Sequence, residues 1–312
     1  MRRRLPPGYS ADGDCPDAAA VLALLGVGVI TSRRHPLVHH IRSLHRAKGR
    51  RETGEFLLEG THLLVEALRQ GIPLKVICYT SAWAERHPEV LGQLPAGLGQ
   101  LVHPQVLEAL ATTVHPDGVV AVASIPPPST QLVIGWLQLL GYCLQDPGNV
   151  GTLIRTAAAV GVTQLWLTDD SVDPYHPKVL RAAAGQWFRC RPQVCGDPLA
   201  VLQAYQQQQV QIIATAAPGE RLYWQVDWTR PTLLLLGNEG QGLPEAWLPM
   251  ADWVARIPQQ PGVESLNVAI VAALCLYEAW RQRWTREGNS LMMGDCHQFS
   301  NGHERPGNYS VH

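Results

Sequence analysis

Two hydrophobic rhythms alternate along the chain. In "THLLVEALRQG" (61–71) apolar residues recur three and four apart, the spacing of a helix with one buried stripe, with Thr61 placed to cap it and Gly71 to stop it. "LKVICYT" and "VVAVASI" are short apolar runs that predict strands, and "WAERHPEVLGQL" between them predicts a helix broken at its proline. Together they predict a small α/β domain over 31–125. Further along, apolar runs predict strands at 138–145, 164–168, 210–215, 231–237 and 252–257. Helical spacing falls between and after them, at 149–160, 177–184, 198–206 and 266–283, and Asp197-Pro198 is a good helix start. Strands alternating with helices imply a mostly parallel sheet covered on both faces, whose ligands sit beyond the carboxyl ends of the strands.

"SIPPPST" (124–130) punctuates the two patterns. Three consecutive prolines extend neither a helix nor a central strand, so 126–130 is expected to be a stiff linker and 131–285 a second domain. At the start, Ala18–Ile30 is apolar but shorter than the roughly 20 residues that span a bilayer. Asp12, Asp14 and Asp17 separate it from the opening arginines, which argues against a signal peptide. Residues 1–30 are expected to be a disordered extension, and 286–312, without apolar period, a loose tail.

Composition narrows the picture modestly. Charged residues are 16 %, below the roughly 25 % of an average domain, while apolar residues reach 46 %. That balance fits buried parallel strands and a further apolar surface for self-association. The seven cysteines are scattered without a C-x-x-C, the pattern of reduced cytosolic thiols and not of a disulfide framework or zinc site. A cytoplasmic protein without a membrane segment or a metal is therefore expected. Net charge is −1, so any attraction to a polyanion must be local. One such place exists. From Arg33 to Arg51, "RRHPLVHHIRSLHRAKGRR" holds seven basic residues (Arg33, Arg34, Arg42, Arg46, Lys48, Arg50 and Arg51) and no acid. The run is either solvated surface or, with Arg42, Arg46 and Arg50 spaced one helical turn apart, a track for a phosphate backbone.

Three polar clusters fall at strand ends. In "LQDPGNVGTLIRTAAAVGV" (144–162) a strand runs into Asp146-Pro147-Gly148, and Asn149 is placed to cap the helix that follows. Arg155 lies six residues beyond it, so its long side chain must reach back to share a site. An ordinary cap and a solvated charge are the plain alternatives. Small, uncharged neighbours (Thr152, Ala157, Ala158, Ala159) argue instead for an arginine held for a phosphate or carboxylate. "LLLLGNEGQGLP" (233–244) is a buried strand opening into glycines, with Asn238 and Glu239 among them. Its G-x-x-G-x-G order reverses the dinucleotide fingerprint and comes late in the chain, so by itself it is compatible with a plain turn. In "RIPQQPGVESLNVAIVAALCLYEAWRQR" (256–283) Ser265 is placed as the cap of a long helix, which would leave Leu266 and Asn267 as first-turn residues without a task.

Taken together the clusters resemble the SpoU (TrmH-like) RNA 2′-O-ribose methyltransferases of the knotted SPOUT class. "DPGNVGTLIRTAAAVG", "LLLLGNEGQGLP" and "IPQQPGVESLNVAIVAAL" look like that family's three motifs, in order and at similar spacing. The likeness covers about 135–285, and "GEFLLEGTHLLVEAL" (54–68) resembles the family's small amino-terminal RNA-binding domain. One departure is the first half of the third loop, where the family more often has methionine or a small residue. The resemblance implies an α/β fold with a trefoil knot whose loops bind S-adenosylmethionine through Gly237, Ile257 and Leu266. It implies Arg155 as the catalytic arginine, with Asn149, Glu239, Ser265 and Asn267 around it, and a homodimer that methylates a ribose 2′-hydroxyl of ribosomal or transfer RNA.

Such a transfer needs aligned reactants and a destination for the proton, but no metal. A guanidinium gives up its proton only far above neutral pH, so Arg155 suits a phosphate clamp and charge stabiliser better than a base. Two rivals stand beside this reading. A non-catalytic RNA-binding protein on the same fold would have no use for the polar five together, and a nicotinamide or nucleotide enzyme fits the glycine order poorly.

Overall fold

The computed structural model describes residues 28–127, 131–217, 219–263 and 265–286. The expected extension up to residue 27, the end of the proline linker and the tail from 287 lie outside the described residues. The chain divides into two compact units between Pro126 and Pro127.

In the first unit, α1 (Pro36–Ser43) and α2 (Ala47–Thr53) lead into β1 (Glu55–Glu59), α3 (Thr61–Arg69) and β2 (Leu74–Tyr79). Then come α4 (Ser81–Arg86), α5 (Pro88–Leu91), β3 (Gly99–Leu101), α6 (Pro104–Leu110) and β4 (Val119–Ser124). The strand order is β1-β4-β2-β3, with β4 antiparallel to both neighbours and β3 parallel to β2. Leu57, Val120 and Val122 on the sheet pack against Val38, Ile41, Leu44, Val106 and Leu110 from the helices. The expected extension runs one residue too far: Ile30 is buried, bridges Val102 and belongs to this core. Thr61 is not a cap either. Gly60 occupies that position in a positive-φ conformation, and the Thr61 hydroxyl donates to the Asp117 carboxylate instead. Glu59, buried at the end of β1, accepts from the backbone N–H and the hydroxyl of both Thr112 and Thr113. Four donors on one carboxylate are what a buried charge requires.

The second unit contains β5 (Leu137–Gly141), α7 (Pro147–Ala159), β6 (Gln164–Thr168), α8 (Pro177–Ala182), β7 (Gln193–Cys195) and α9 (Pro198–Gln207). It continues with β8 (Gln211–Thr215), β9 (Arg221–Leu222), β10 (Thr232–Leu236), β11 (Trp253–Arg256) and α10 (Val268–Arg286). Among the described residues the strands form one parallel sheet, ordered β7-β6-β5-β10-β8-β11-β9. Leu234 pairs with Leu139 on one side and Ile213 on the other. Leu140, Leu233, Leu235 and Ile212 pack with Leu202 and Tyr205 of α9. The alternate residues Leu139, Leu234 and Ile213 are buried as well, so both faces of the sheet are covered.

Two differences from the sequence pattern have local causes. The strands β7 and β9 have three and two residues, too few to show a period. β5 stops at Gly141 although the apolar run continues to Leu144. Cys143 takes a left-handed φ of 49°, and its N–H leaves the backbone ladder for the side-chain hydroxyl of Thr168, at the end of the neighbouring β6, at 2.8 Å.

Candidate functional site

The carboxyl ends of β5, β10 and β11 carry the three polar clusters. After β5, Asp146 and not Asn149 caps α7: its carboxylate accepts from the Asn149 N–H at 2.8 Å, with Pro147 in the first turn. An ionised carboxylate is the stronger cap, since it also meets the positive end of the helix. The Asn149 side chain, released from that task, points out of the first turn.

After β10 the glycines form a closed loop. Asn238 and Gly242 exchange backbone hydrogen bonds, each at 3.0 Å. The Asn238 side chain staples the loop from within, its Oδ1 accepting from the N–H of Gly240 at 2.9 Å and of Gln241 at 3.0 Å. Its Nδ2 donates to the Cys143 carbonyl at 2.7 Å, tying this loop to the end of β5. At Gly237 a Cβ would stand 2.4 Å from the Gly242 carbonyl carbon, so only glycine fits where the loop closes.

After β11 the loop enters α10 two residues later than the sequence pattern suggests. Asn267, not Ser265, is the cap: its Oδ1 accepts from the Ala269 N–H at 2.9 Å, and its carbonyl accepts from Ile270 and Val271. Ser265 is exposed and Leu266 half-buried.

Asn149 joins the three ends. Its Nδ2 donates to Glu239 Oε1 at 3.0 Å, and its Oδ1 accepts from Asn267 Nδ2 at 2.8 Å. One side-chain amide thus spans all three clusters. Beside it lies a cavity of about 460 Å³ lined by Gly237, Glu239, Ile257, Gln259, Ser265 and Leu266, among others. Asn149, Asn267 and Arg155 are not in that lining. Arg155 is exposed on α7, and its side chain makes no hydrogen bond or ion pair among the described residues. The charged lining residues are Glu239 and Glu245, and no lysine, arginine or histidine accompanies them among the described residues.

Other chemistry is scarce. Burial pushes the thiols of Cys78, Cys190 and Cys275 up to about 12 and that of Cys195 to about 11, so these are packing residues and not nucleophiles. No cluster of three or more His, Cys, Asp or Glu suited to a metal ion occurs among the described residues. No described helix is long and apolar enough to cross a membrane.

The basic run of the first unit is divided. α1 ends at Ser43 and α2 starts at Ala47, so Arg42, Arg46 and Arg50 do not share a helix face. Arg50 is a correction: it is 1 % exposed and donates to the Leu44 carbonyl at 2.8 Å, inside the turn between the helices. Arg33, Arg34, Arg42, Arg46, Lys48 and Arg51 remain exposed. Arg33 donates to the Gln105 carbonyl, and Lys48 lies 3.7 Å from Glu52. Sequence reasoning placed Asn238 in the second cluster without giving it a task. Asn238 had a signal, an Asx residue directly before a glycine turn, the usual place for side-chain-to-backbone bonds.

Comparison with known proteins decides the family. Residues 137–277 match the SpoU rRNA Methylase family, and residues 35–121 match the MRM3-like substrate binding domain. An uncharacterized tRNA/rRNA methyltransferase of Synechocystis sp. is 44 % identical over 266 residues, which span 83 % of this chain and 95 % of that one. The chain belongs to the SpoU family. A second SpoU-like relative, the 23S rRNA (guanosine(2553)-2′-O)-methyltransferase RlmP of Bacillus subtilis, is 31 % identical over 80 % of this chain and 97 % of its own. The crystal structure of an AdoMet-bound rRNA methyltransferase from Sinorhizobium meliloti superposes with a TM-score of 0.72 at 31 % identity, covering 82 % of this chain and 98 % of that one.

Proposed function

We propose that this SpoU protein is an S-adenosylmethionine-dependent RNA methyltransferase acting on a ribose 2′-hydroxyl of ribosomal or transfer RNA. The observation that carries the reading is the cavity at the strand ends, charged by carboxylates alone. A dinucleotide would set its pyrophosphate against Glu239 and Glu245 with no cation to balance it, whereas a cationic nucleoside meets favourable charge and an apolar wall. The close backbone approach at Gly237 supports a site that grips its ligand largely through the main chain.

Bound there, the donor supplies an electrophilic methyl group on a positively charged sulfonium. Gly237, Ile257 and Leu266 hold it. Glu239, kept in place by Asn149, sets the negative charge of the rim, and Asn267 fixes the Asn149 amide from the other side. The exposed Arg155 grips an RNA phosphate and stabilises charge developing on the ribose oxygen, with the proton leaving to phosphate or water. Ser265, at the cavity mouth, offers a hydroxyl to the incoming ribose. A pure RNA binder would leave this bridged network without a purpose.

Four further parts of the proposal rest on family likeness together with particular surfaces. The loops after β5, β10 and β11 form a trefoil knot. The first unit binds RNA through Arg33, Arg34, Arg42, Arg46, Lys48 and Arg51. The active form is a cytoplasmic homodimer built on α10, where Ile270 and Tyr277 are 50 % and 49 % exposed and Trp280 stacks edge-on with Trp284. No metal takes part. Calorimetry with S-adenosylmethionine, followed by mapping of 2′-O-methyl sites in RNA from cells with and without the protein, tests the function. A protein that binds no donor and changes no site overturns it. A stable, fully active monomer in sedimentation would remove the dimer alone.

A further inference from the structure

The cavity at the strand ends holds two carboxylates, and they are not equivalent. Glu239 is half-buried and already engaged: Asn149 Nδ2 donates to its Oε1 at 3.0 Å, and Asn149 is tied in turn to Asn267. Glu245, six residues on, lines the same cavity but is exposed, and its side chain makes no hydrogen bond or ion pair among the described residues. Leu243 before it and Leu248 after it also line the cavity, so this carboxylate borders an apolar wall. No described lysine, arginine or histidine belongs to the lining, so a positive partner for Glu245 within the cavity has to arrive with the ligand. Family likeness gives Glu245 no role, and the bridge of Asn149, Glu239 and Asn267 does not involve it.

The chemistry of the donor says which positive group this is. S-Adenosylmethionine carries two cations, the sulfonium with its transferable methyl and the ammonium of its amino-acid end. The sulfonium must lie where a ribose oxygen can reach it. That is the Glu239 side, because Asn149, which holds Glu239, stands in the first turn of the helix that carries Arg155. The second carboxylate is left for the second cation. An ammonium has three N–H donors for a carboxylate to accept, whereas a sulfonium has none and attracts an exposed carboxylate only through a screened charge. We propose that Glu245 binds the ammonium group at the amino-acid end of the methyl donor and so fixes which way round the donor lies in the cavity. The proposal rests on the reading of the cavity as the methyl-donor site.

The test is calorimetric, uses the full chain without RNA, and compares three ligands. S-Adenosylmethionine has both cations, S-adenosylhomocysteine has the ammonium alone, and the des-amino analogue of S-adenosylhomocysteine, with hydrogen in place of the ammonium, has neither. The parent is expected to bind S-adenosylhomocysteine about 3- to 10-fold more tightly than the des-amino analogue, between the effect of an exposed ion pair and that of a sheltered one. Glu245→Gln keeps the shape and removes the charge. It is expected to weaken the first two ligands by the same factor, about 3- to 10-fold, and to leave the des-amino analogue unchanged or bound more tightly, since its carboxylate no longer meets Glu245. The parent's preference for the ammonium is also expected to shrink as salt is raised, and the variant's lack of preference to persist. A loss confined to S-adenosylmethionine would place Glu245 at the sulfonium and overturn the inference. Equal losses on all three ligands would show a merely structural residue and overturn it too, as would no loss on any. If the parent itself binds none of the three, the assignment of the cavity fails and Glu245 falls with it. A parent that binds S-adenosylhomocysteine and its des-amino analogue equally well refutes Glu245 alone.

Discussion

The glycine loop at 237–242 and the basic segment at 33–51 both announce themselves in the sequence, yet only one is built as its composition suggests. In the glycine loop each residue's chemistry has one local outlet. Gly237 stands where a Cβ would strike Gly242, and Asn238 turns its side chain back onto the loop's own N–H groups. Spacing in the basic segment implies more than it delivers, because equal intervals place residues on one face only while a helix continues. It breaks between Ser43 and Ala47. At Gly49 a Cβ would stand 2.1 Å from the Ser43 carbonyl oxygen, so the two short helices meet too closely for any side chain there. Arg50 fills the turn they leave. Chemistry that is satisfied within a few residues is readable; chemistry that depends on a distant continuity is not.

Six substitutions, at Arg155 and within the two regions, sharpen the comparison. The largest effect is expected at Arg155, whose side chain no local partner satisfies. Arg155→Ala and Arg155→Lys should lower methyl transfer to RNA by roughly 10²–10³-fold, lysine no worse than alanine, with donor binding nearly that of the parent. Single-turnover transfer beside calorimetry would show it, and parental turnover would reduce Arg155 to a solvated helix charge. Next comes Gly237→Ala. The added methyl must displace the loop backbone, and an overpacking cost of about 1–3 kcal/mol should appear as roughly 10- to 100-fold weaker donor binding in the same titration.

Arg50→Ala should behave as a core mutation, not as the loss of an RNA contact. Removing a buried side chain and leaving the Leu44 carbonyl unmet should cost about 2 kcal/mol, read as an earlier unfolding transition in urea. The smallest effect belongs to Arg42→Ala and Arg46→Ala. Both side chains are exposed, so stability should hold, while the dependence of RNA affinity on salt should flatten by about 0.7–0.9 per arginine. An unchanged slope would return the whole segment to plain surface.

How much was legible follows the same division. The alternation of strands and helices showed the parallel sheet, since buried strands on both faces read as unbroken apolar runs such as Leu233–Leu236. Cap identities were misread three times, at Thr61, Asn149 and Ser265; at the last two several cap-forming residues stood close together and only the folded geometry chose Asp146 and Asn267. Those misreadings were informative. Being spared from capping is what leaves the Asn149 side chain for Glu239 and Asn267.

The place of β10 has a consequence for the newborn chain. It is sixth in chain order among the seven described strands of its sheet, yet it lies between β5 and β8 in the middle. Until residues 232–236 have left the ribosome, β5 and β8 have no strand between them, and each presents an open edge along its length. Joining strands so far apart in sequence is slow, since the intervening loops must close before the contacts reward them. Synthesis therefore passes through a vulnerable interval, in which a slowed or truncated chain exposes two apolar strand edges. The cavity, walled by the turn that leaves β10 and the loop after β11, cannot close before both strands have emerged.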